Sequence, residues 1–201
     1  MATVTPGLAA RQASDAAIIQ QSWLESERFA AIFDRYYAQI HDYAARRLGQ
    51  SLADDVAAEA FLIAFARRQR YDISRPDARP WLYGIASNLI ARHNRAEVRW
   101  YRALARTGVA RADEGDVERA DARVDAQSQR RLLASALAQV CDADREVLLL
   151  VAWAGLTSGE AGEALGIPAG TARSRLHRAR KQVRAVLARR PAITEGETGR
   201  G

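Results

Sequence analysis

Apolar residues recur at every third or fourth position along most of the 201-residue chain, and runs of strict apolar–polar alternation are absent. The stretch from Phe29 to Tyr43 is typical, because its isoleucine, phenylalanine and tyrosine residues all fall at helical spacing. A period near 3.6 residues places side chains on one stripe of an α-helix, whereas a half-buried strand needs a period of two. The chain is therefore predicted to be all-α.

Two helical blocks are separated by the segment from Arg102 to Ala126, which is rich in charge, contains two glycines and has no aromatic residue. Such a composition cannot readily bury itself. We predict two small helical domains joined by a flexible linker, the second a helix-turn-helix. The predicted ranges are a mobile N-terminal arm at 1–25, a first domain at 26–100, a linker at 101–127, a second domain at 128–190 and a short tail at 191–201.

Charge indicates a polyanionic partner. Lys plus Arg is 30 against 24 Asp plus Glu, which gives a net charge of +6 and a pI near 10.1. Lys181 is the only lysine, and arginine combines bidentate phosphate contacts with stacking. A GC-rich genome accounts equally well for an arginine bias, so the distribution of charge along the chain has to decide.

Several function classes are disfavoured. A single cysteine, Cys141, cannot form an internal disulfide, and we predict it to be a buried core residue. The three histidines lie far apart, so no metal-ligand spacing exists, and no metal or cofactor is expected. No apolar run approaches the ~20 residues needed to cross a bilayer. Without a secretory signal at the N-terminus, a cytoplasmic location is expected.

Residues 157–187 are the most specific segment. Thr157 and Glu160 form a capping box that starts one helix, Gly166 ends it, and Pro168 leads into another. Two short helices around a tight turn are typical of a helix-turn-helix. The second helix would pack an apolar face on the domain and present a basic face to a DNA major groove, with Arg178 pairing with guanine. The alternative is a solvated basic helix. The candidate DNA-binding residues are Thr171, Arg173, Ser174, Arg175, His177, Arg178 and Lys181.

The loop at 69–79 and the helix after it form a second candidate site. The loop offers a stacking ring, guanidinium groups and small polar groups, which suit an unstacked base and its phosphates. Trp81 lies at apolar helix spacing and is predicted to be core. The candidate residues here are Arg70, Tyr71, Ser74, Arg75, Asp77, Arg79, Asn88, Arg92 and Arg95.

Acidic residues concentrate between two arginine-rich flanks. Asp54, Asp55 and Glu59 fall in a stretch, 48–66, that has no basic residue. Two interpretations stay open: the two aspartates stabilise a helix N-terminus, or the three carboxylates form a protein-binding patch.

Three segments resemble the extracytoplasmic-function (ECF) sigma factors, the minimal two-domain bacterial sigma factors. They are FDRYYAQIHDYAARRLGQSLADDVAAEAFLIAFARR, WLYGIASNLI and DREVLLLVAWAGLTSGEAGEALGIPAGTARSRLHRAR, in the family's order and spacing. The resemblance covers about residues 27–96 and 128–188.

The resemblance implies a role for each candidate set. The acidic helix would bind the clamp helices of the largest subunit of core RNA polymerase. The 69–79 loop and third helix would capture a flipped base of the promoter −10 element. The helix-turn-helix would read the −35 element. Family members are commonly held inactive by an anti-sigma factor, although no residue here identifies one, and catalysis would belong to the polymerase.

Three residues depart from the family's pattern in the helix-turn-helix, because Ala161 and Gly162 stand in place of the usual Ile-Ala and Ala172 stands in place of valine. They shrink the core, and glycine costs about 1 kcal/mol of helix stability relative to alanine. The rival hypotheses are a stand-alone helix-turn-helix regulator, an adaptor protein and a helical enzyme. The stand-alone regulator leaves the ADDVAAEAF and WLYGIA segments unexplained. The enzyme would need a Gly-rich phosphate loop, a nucleophile–base pair or a metal set, none of which the sequence has, and the adaptor would show no specific DNA binding.

Overall fold

The computed structural model of the protein describes residues 13–107 and 120–188. Within these residues every regular element is helical, so the all-α prediction is confirmed. Two short 3₁₀ turns, Ser26–Phe29 and Arg68–Arg70, accompany the α-helices. The α-helices of the described residues are α1 (Asp15–Gln21), α2 (Ala30–Leu48), α3 (Gln50–Arg67), α4 (Arg79–Arg92), α5 (Asn94–Thr107), α6 (Ala120–Gln139), α7 (Asp142–Ala152), α8 (Ser158–Ala164) and α9 (Ala169–Ala188).

An antiparallel hairpin of α2 and α3 forms the centre of the first domain, with α4 packed on it. The periodic residues Ile32, Tyr36, Ile40 and Tyr43 are buried, as the sequence pattern predicts. Gly49 makes the turn of the hairpin with φ of +85°, a conformation that side chains with a Cβ rarely adopt. The hairpin presents the opposite face of α3 to solvent.

Residues 13–25, predicted to be part of a mobile arm, instead contain α1 and pack on the first domain. The Ser14 hydroxyl accepts a hydrogen bond from the Ala17 N–H and caps the helix. The buried Asp15 carboxylate accepts from the Tyr36 hydroxyl at 2.6 Å and from the Ala78 N–H at 2.8 Å. This carboxylate therefore ties α1, α2 and the loop before α4 together. A seven-residue helix has too few turns to show its period in the sequence.

The predicted linker, 101–127, also contains regular structure. α5 extends to Thr107, and α6 begins at Ala120 and packs against α5. Tyr101 is buried, and its hydroxyl donates to Glu97 at 3.1 Å. The central part of the predicted linker lies outside the described residues, as do the first twelve residues and the predicted tail.

The second domain forms the predicted helix-turn-helix from α8 and α9. The Thr157 hydroxyl accepts from the Glu160 N–H at 3.2 Å, and the Thr157 N–H donates to the Glu160 carboxylate at 2.7 Å. This capping box starts α8, and Gly166, with φ of +63°, makes the turn. α9 then buries Ala172, Leu176 and Ala179 against the domain, as predicted.

Close approach of α8 and α9 explains two of the three departures from the family's pattern, Gly162 and Ala172. A Cβ on Gly162 would lie 2.9 Å from the Ile167 carbonyl oxygen and 3.3 Å from the Ala172 Cβ. Both residues are buried. Small side chains at these positions allow the two helices to pack closely, so the low helix propensity of glycine is offset by packing.

We predict that Gly162→Ala does not stabilise the second domain, because the gain in helix propensity is opposed by the clash with the Ile167 carbonyl. The matched control is Gly170→Ala in α9, where an added Cβ meets no atom within 4 Å. The control should stabilise by about 0.4–1 kcal/mol. Urea unfolding of both variants measures this. Equal stabilisation of the two would contradict the packing explanation.

Charged residues from both domains meet in a buried cluster. Arg47 of α2 is fully buried, and its Nε donates to Glu97 of α5 at 2.7 Å. Its guanidinium also forms a bidentate pair with Glu146 of α7, and Arg145 Nη2 lies 3.4 Å from Glu97. Burial alone lowers the pKa of Arg47, but Tyr43 and Glu146 raise it well above its ordinary value. These ion pairs hold the first domain against the second.

Two further contacts complete the closed arrangement of the domains. Gly84 of α4 lies directly against the backbone carbonyl of Ala164 in α8, so close that no Cβ would fit. Arg75, in the loop before α4, pairs with Glu163 of α8. α8 therefore covers α4 at Gly84 and contacts the 69–79 loop at Arg75.

Candidate nucleic-acid and protein interfaces

The second helix of the helix-turn-helix, α9, presents the predicted basic face. Its apolar side faces the domain, which leaves Arg173, Ser174, His177 and Lys181 exposed. Thr171 and Arg175 are half-buried at the edge of this face. Arg173, His177 and Lys181 have no carboxylate partner within the described residues. This face can donate hydrogen bonds to a polyanion without first breaking an ion pair.

Arg178 differs from its neighbours, because its guanidinium is already engaged. Its Nε donates to Asp144 Oδ2 at 2.9 Å, and its Nη2 donates to Oδ1 at 2.8 Å. Asp144 is buried at the start of α7. The bidentate pair anchors α9 to α7, so pairing of Arg178 with guanine requires that it leave Asp144.

We predict that this pair makes the stability of the second domain depend on pH. The two hydrogen bonds from Arg178 hold the pKa of Asp144 below its ordinary value, against an opposing effect of burial. A carboxylate with a depressed folded-state pKa stabilises fully above its ordinary pKa of about 4, and that contribution is lost as the pH falls through the folded-state value. Asp144→Asn should therefore lower stability at pH 7, and its difference from the wild type should shrink at pH 3.

Urea unfolding of the wild type, Asp144→Asn, Arg178→Gln and the double variant at both pH values completes the thermodynamic cycle. The coupling between the two residues should be favourable at pH 7 and much smaller at pH 3. A coupling that is the same at both pH values would contradict the role of this ion pair.

The loop before α4 is held by its own side chains. The Asp72 carboxylate accepts from the Ser74 hydroxyl at 2.7 Å and from Arg75 Nε at 3.1 Å. Asp77 accepts from the Arg79 backbone N–H at 2.9 Å and pairs with its guanidinium. The Arg79 partner keeps the pKa of Asp77 low, although burial acts in the opposite direction. The loop is thus a preformed turn.

Tyr71, predicted to supply the stacking ring, is buried. Its ring packs 4.9 Å from that of Trp81, and its hydroxyl donates to the Arg75 carbonyl at 2.7 Å. Only 6% of the residue is exposed. Burial, with Asp15 nearby, raises the pKa of Tyr71 to about 12. In this arrangement the Tyr71 ring is not available to stack on a base, because it packs in the core with the partly buried Trp81.

The remaining residues of this set are on the surface. Asn88, Arg92 and Arg95 are exposed and follow one another along α4 and into α5, and Arg70 is exposed at the end of the 3₁₀ turn. Arg92 lies 3.3 Å from Glu59 across the gap to α3. The structure therefore leaves Asn88 and Arg92 of α4 and Arg95 of α5 at the surface, a set that we name the basic line.

Asp54, Asp55 and Glu59 lie on the exposed face of α3, as the patch interpretation requires. α3 begins at Gln50, so the two aspartates lie beyond its first turn. The interpretation in which they stabilise the helix N-terminus is therefore wrong, because that effect falls off within one turn. His41 Nε2 lies 3.1 Å from Asp54.

Apolar side chains continue this acidic face. Leu62 is 70% exposed, and Phe65 and Phe33 are also partly exposed. The Phe33 ring packs against Phe61 at 5.0 Å, which holds it at the surface. We name this surface the α3 patch, comprising Asp54, Asp55, Glu59, Leu62 and Phe65. An exposed apolar area beside carboxylates is typical of a protein-binding surface. The average hydropathy pattern cannot separate such residues from core.

Cys141 precedes α7 and is exposed, so the prediction that it is buried is wrong. Its thiol stands outside the core because the chain bends there from α6 into α7. Among the described residues, no group of histidine, cysteine and carboxylate side chains could hold a metal ion. No described helix is both long and apolar enough to cross a membrane.

Comparison with known proteins agrees with this geometry. The family described as Sigma-70 region 2 matches residues 32–107, and Sigma-70 region 4 matches residues 130–183. The chain is 33% identical over 167 residues to the ECF RNA polymerase sigma factor SigL of Mycobacterium tuberculosis (strain ATCC 25618 / H37Rv), covering 81% of this chain and 90% of SigL. It is also 33% identical to SigW of Bacillus subtilis (strain 168) over 173 residues, with the same coverage.

Two solved structures share the fold. CnrH, solved in complex with the cytosolic domain of CnrY, matches with a TM-score of 0.62 and 24% identity over 87% of this chain and 97% of CnrH. The sigma factor RpoE of Bartonella quintana, solved with the anti-sigma factor NepR, matches with a TM-score of 0.56 and 17% identity over 82% and 99%.

Both matched regions coincide with the two helical domains, and the curated relatives are matched over most of their length. The chain therefore belongs to the ECF sigma factors, the subunits that bind core RNA polymerase and direct transcription initiation at specific promoters.

Proposed function

We propose that this sigma factor binds core polymerase through the α3 patch, reads the −35 element with α9, and captures the −10 element with the 69–79 loop and α4. The observation that carries the proposal is the basic face of α9, where Arg173, His177 and Lys181 are exposed and free of carboxylates among the described residues. A helix-turn-helix presents this face of its second helix to the major groove.

The −10 contacts are proposed for the residues that the structure leaves at the surface. Asn88, Arg92 and Arg95 form a basic line that suits the backbone of a separated strand. The preformed turn before α4 is surrounded by polar and charged side chains, those of Arg70, Ser74, Arg75, Asp77 and Arg79. With Tyr71 buried, a flipped base would be held by polar contacts and guanidinium stacking in this turn.

We assign no catalytic step to this chain, because polymerisation belongs to the core enzyme that it directs. Its place is the cytoplasm, where the bacterial polymerase and the chromosome are. Two structural neighbours were solved with a protein partner, RpoE with the anti-sigma factor NepR and CnrH with the cytosolic domain of CnrY. We propose that an anti-sigma factor likewise regulates this chain. The stand-alone regulator is not favoured, since it leaves the region 2 match without a role.

The first experiment is reconstitution. Purified chain and core polymerase that lacks a sigma factor are mixed and separated by size exclusion, and the complex is tested in transcription on genomic fragments. A stoichiometric complex that initiates at defined sites is expected. A folded chain that binds promoter duplex but not core polymerase would overturn the sigma assignment and return the stand-alone regulator.

The α3 patch gives the second prediction. Asp55→Arg should weaken binding to core polymerase about tenfold or more, equivalent to ~1.4 kcal/mol, because it reverses a charge at the centre of the acidic face. Glu27→Arg, an exposed reversal outside the patch, is the matched control. Fluorescence anisotropy with labelled chain measures both affinities. If Asp55→Arg binds as tightly as Glu27→Arg, the patch is not the polymerase-binding surface.

Promoter binding also requires that the domains separate. In the closed arrangement α8 covers Gly84 and engages Arg75, so part of the proposed −10 surface is occupied. The bond between Arg178 and Asp144 likewise occupies one proposed −35 contact. We propose that the closed form is the unbound state and that polymerase binding stabilises the open one.

Glu146→Gln should favour the open form. It removes one carboxylate from the buried Arg47, and breaking a buried pair costs about 3–5 kcal/mol. We expect a larger radius of gyration in small-angle X-ray scattering and tighter binding to core polymerase. Glu25→Gln, which breaks the exposed pair with Arg28, is the control. An unchanged radius together with unchanged affinity would show that the cluster does not hold the domains closed.

A further inference from the structure

Helix α5 carries a row of four arginines. Only the first of them is among the residues proposed to contact the promoter. Arg95, Arg99, Arg102 and Arg106 follow one another at intervals of four, three and four residues. At about 100° per residue they all lie within an arc of about 60° on the helix surface. All four are exposed. We name this row the α5 arginine row.

The opposite side of α5 faces the core. Glu97 and Tyr101 are buried there and take part in the charged cluster around Arg47. The only carboxylate of α5 is thus directed away from the arginine row. No ion pair or hydrogen bond joins a side chain of the row to another group within the described residues.

Beside the row lies an open groove between α5 and α6. Its volume is about 650 Å³, and Arg99, Arg102 and Arg106 line one wall. The other wall is the end of α6, where Ser135 and Gln139 supply neutral polar groups. From residue 126 to its end, α6 contains no acidic residue. Within the described residues, these three guanidinium groups have no carboxylate partner and no carboxylate lines the groove, so the groove is suited to a phosphate-bearing ligand.

The position of the groove indicates which ligand would supply the phosphates. α5 follows α4 directly, and Arg95 already belongs to the line proposed for the −10 strand. On the far side, the Gln139 carbonyl accepts a hydrogen bond at 2.8 Å from Gln182 of α9, the recognition helix. The groove therefore lies between the elements proposed for the two promoter elements. The row spans 12 residues, and its ends lie about 16 Å apart along the helix axis, comparable to several phosphate steps along one strand.

We infer that the α5 arginine row is a binding site for the phosphate backbone of duplex DNA, without base specificity. The row and its groove stay open to solvent in the closed arrangement, whereas α8 covers part of the −10 surface. The closed chain can thus hold duplex DNA before polymerase opens it. The inference deepens the proposed function but is tested on the isolated chain.

The test measures how binding depends on salt. The full chain is titrated into a fluorescently labelled 25-base-pair duplex of random sequence at 50, 100 and 200 mM salt. Each phosphate contact contributes about 0.9 to the slope of log K against log salt concentration. The triple variant Arg99→Gln/Arg102→Gln/Arg106→Gln should therefore lose up to about 2.7 of that slope. Circular dichroism verifies its helicity.

Control variants make the outcome specific. Arg28→Gln removes an exposed arginine that is already paired with Glu25, and its slope should equal that of the wild type. The single variants Arg99→Gln and Arg106→Gln should each lose about 0.9, and they report on the row if the triple variant folds poorly.

Three results would overturn the inference. The first is a triple variant with the wild-type slope. The second is a defect seen with single-stranded RNA of the same length but not with the duplex, which would assign the groove to RNA. The third is a loss of affinity for core polymerase with an unchanged DNA slope, which would assign it to a protein. Failure of the wild type to bind core polymerase would refute the proposed function and leave the slope measurement valid.

Discussion

A fully buried guanidinium needs carboxylates close to it, and Arg47 obtains them from both halves of the chain. An unpaired cation in the interior would cost several kcal/mol. Glu97 on α5 and Glu146 on α7 meet that requirement only when the second domain is docked on the first. The relative position of the α3 patch and the basic face of α9 therefore depends on one arginine of the first hairpin.

The same requirement couples the binding surfaces to each other. The domain contact places α8 over α4. The Asp15 carboxylate holds the turn before α4 by accepting a hydrogen bond from the Ala78 N–H. An open chain would leave Arg47 with Glu97 alone and would admit water around the pair. A partner that replaces the lost contacts, or that binds only the open form, shifts this balance by mass action.

Much of the fold followed from the sequence. Helical spacing predicted α2, α3, α4 and the helix-turn-helix, and Thr157 with Glu160 predicted the cap of α8, because these signals are local. The short α1 and the helices inside the predicted linker were missed, since α1 is brief and α5 is stabilised by contacts with distant elements.

The site was predictable in outline. The exposed basic face of α9 and the acidic face of α3 followed from periodicity, whereas the burial of Tyr71 and the exposure of Leu62 depend on which neighbours the fold supplies. Pairing of Arg178 with Asp144, 34 residues apart, has no local signature. A sequence pattern indicates which residues share one face of a helix, and the tertiary fold determines which residues that face contacts.

The contact between Gly84 and the Ala164 carbonyl has a consequence for how this chain can evolve. Any coding change at position 84 adds at least a Cβ, since glycine is the one residue without it. The added atom cannot be accommodated by rotating a side chain, because its neighbour is backbone. A single nucleotide change at this position can thus produce a lineage that rests open while every side chain of the charged cluster is kept. One substitution at position 84 is therefore enough to remove regulation by domain closure.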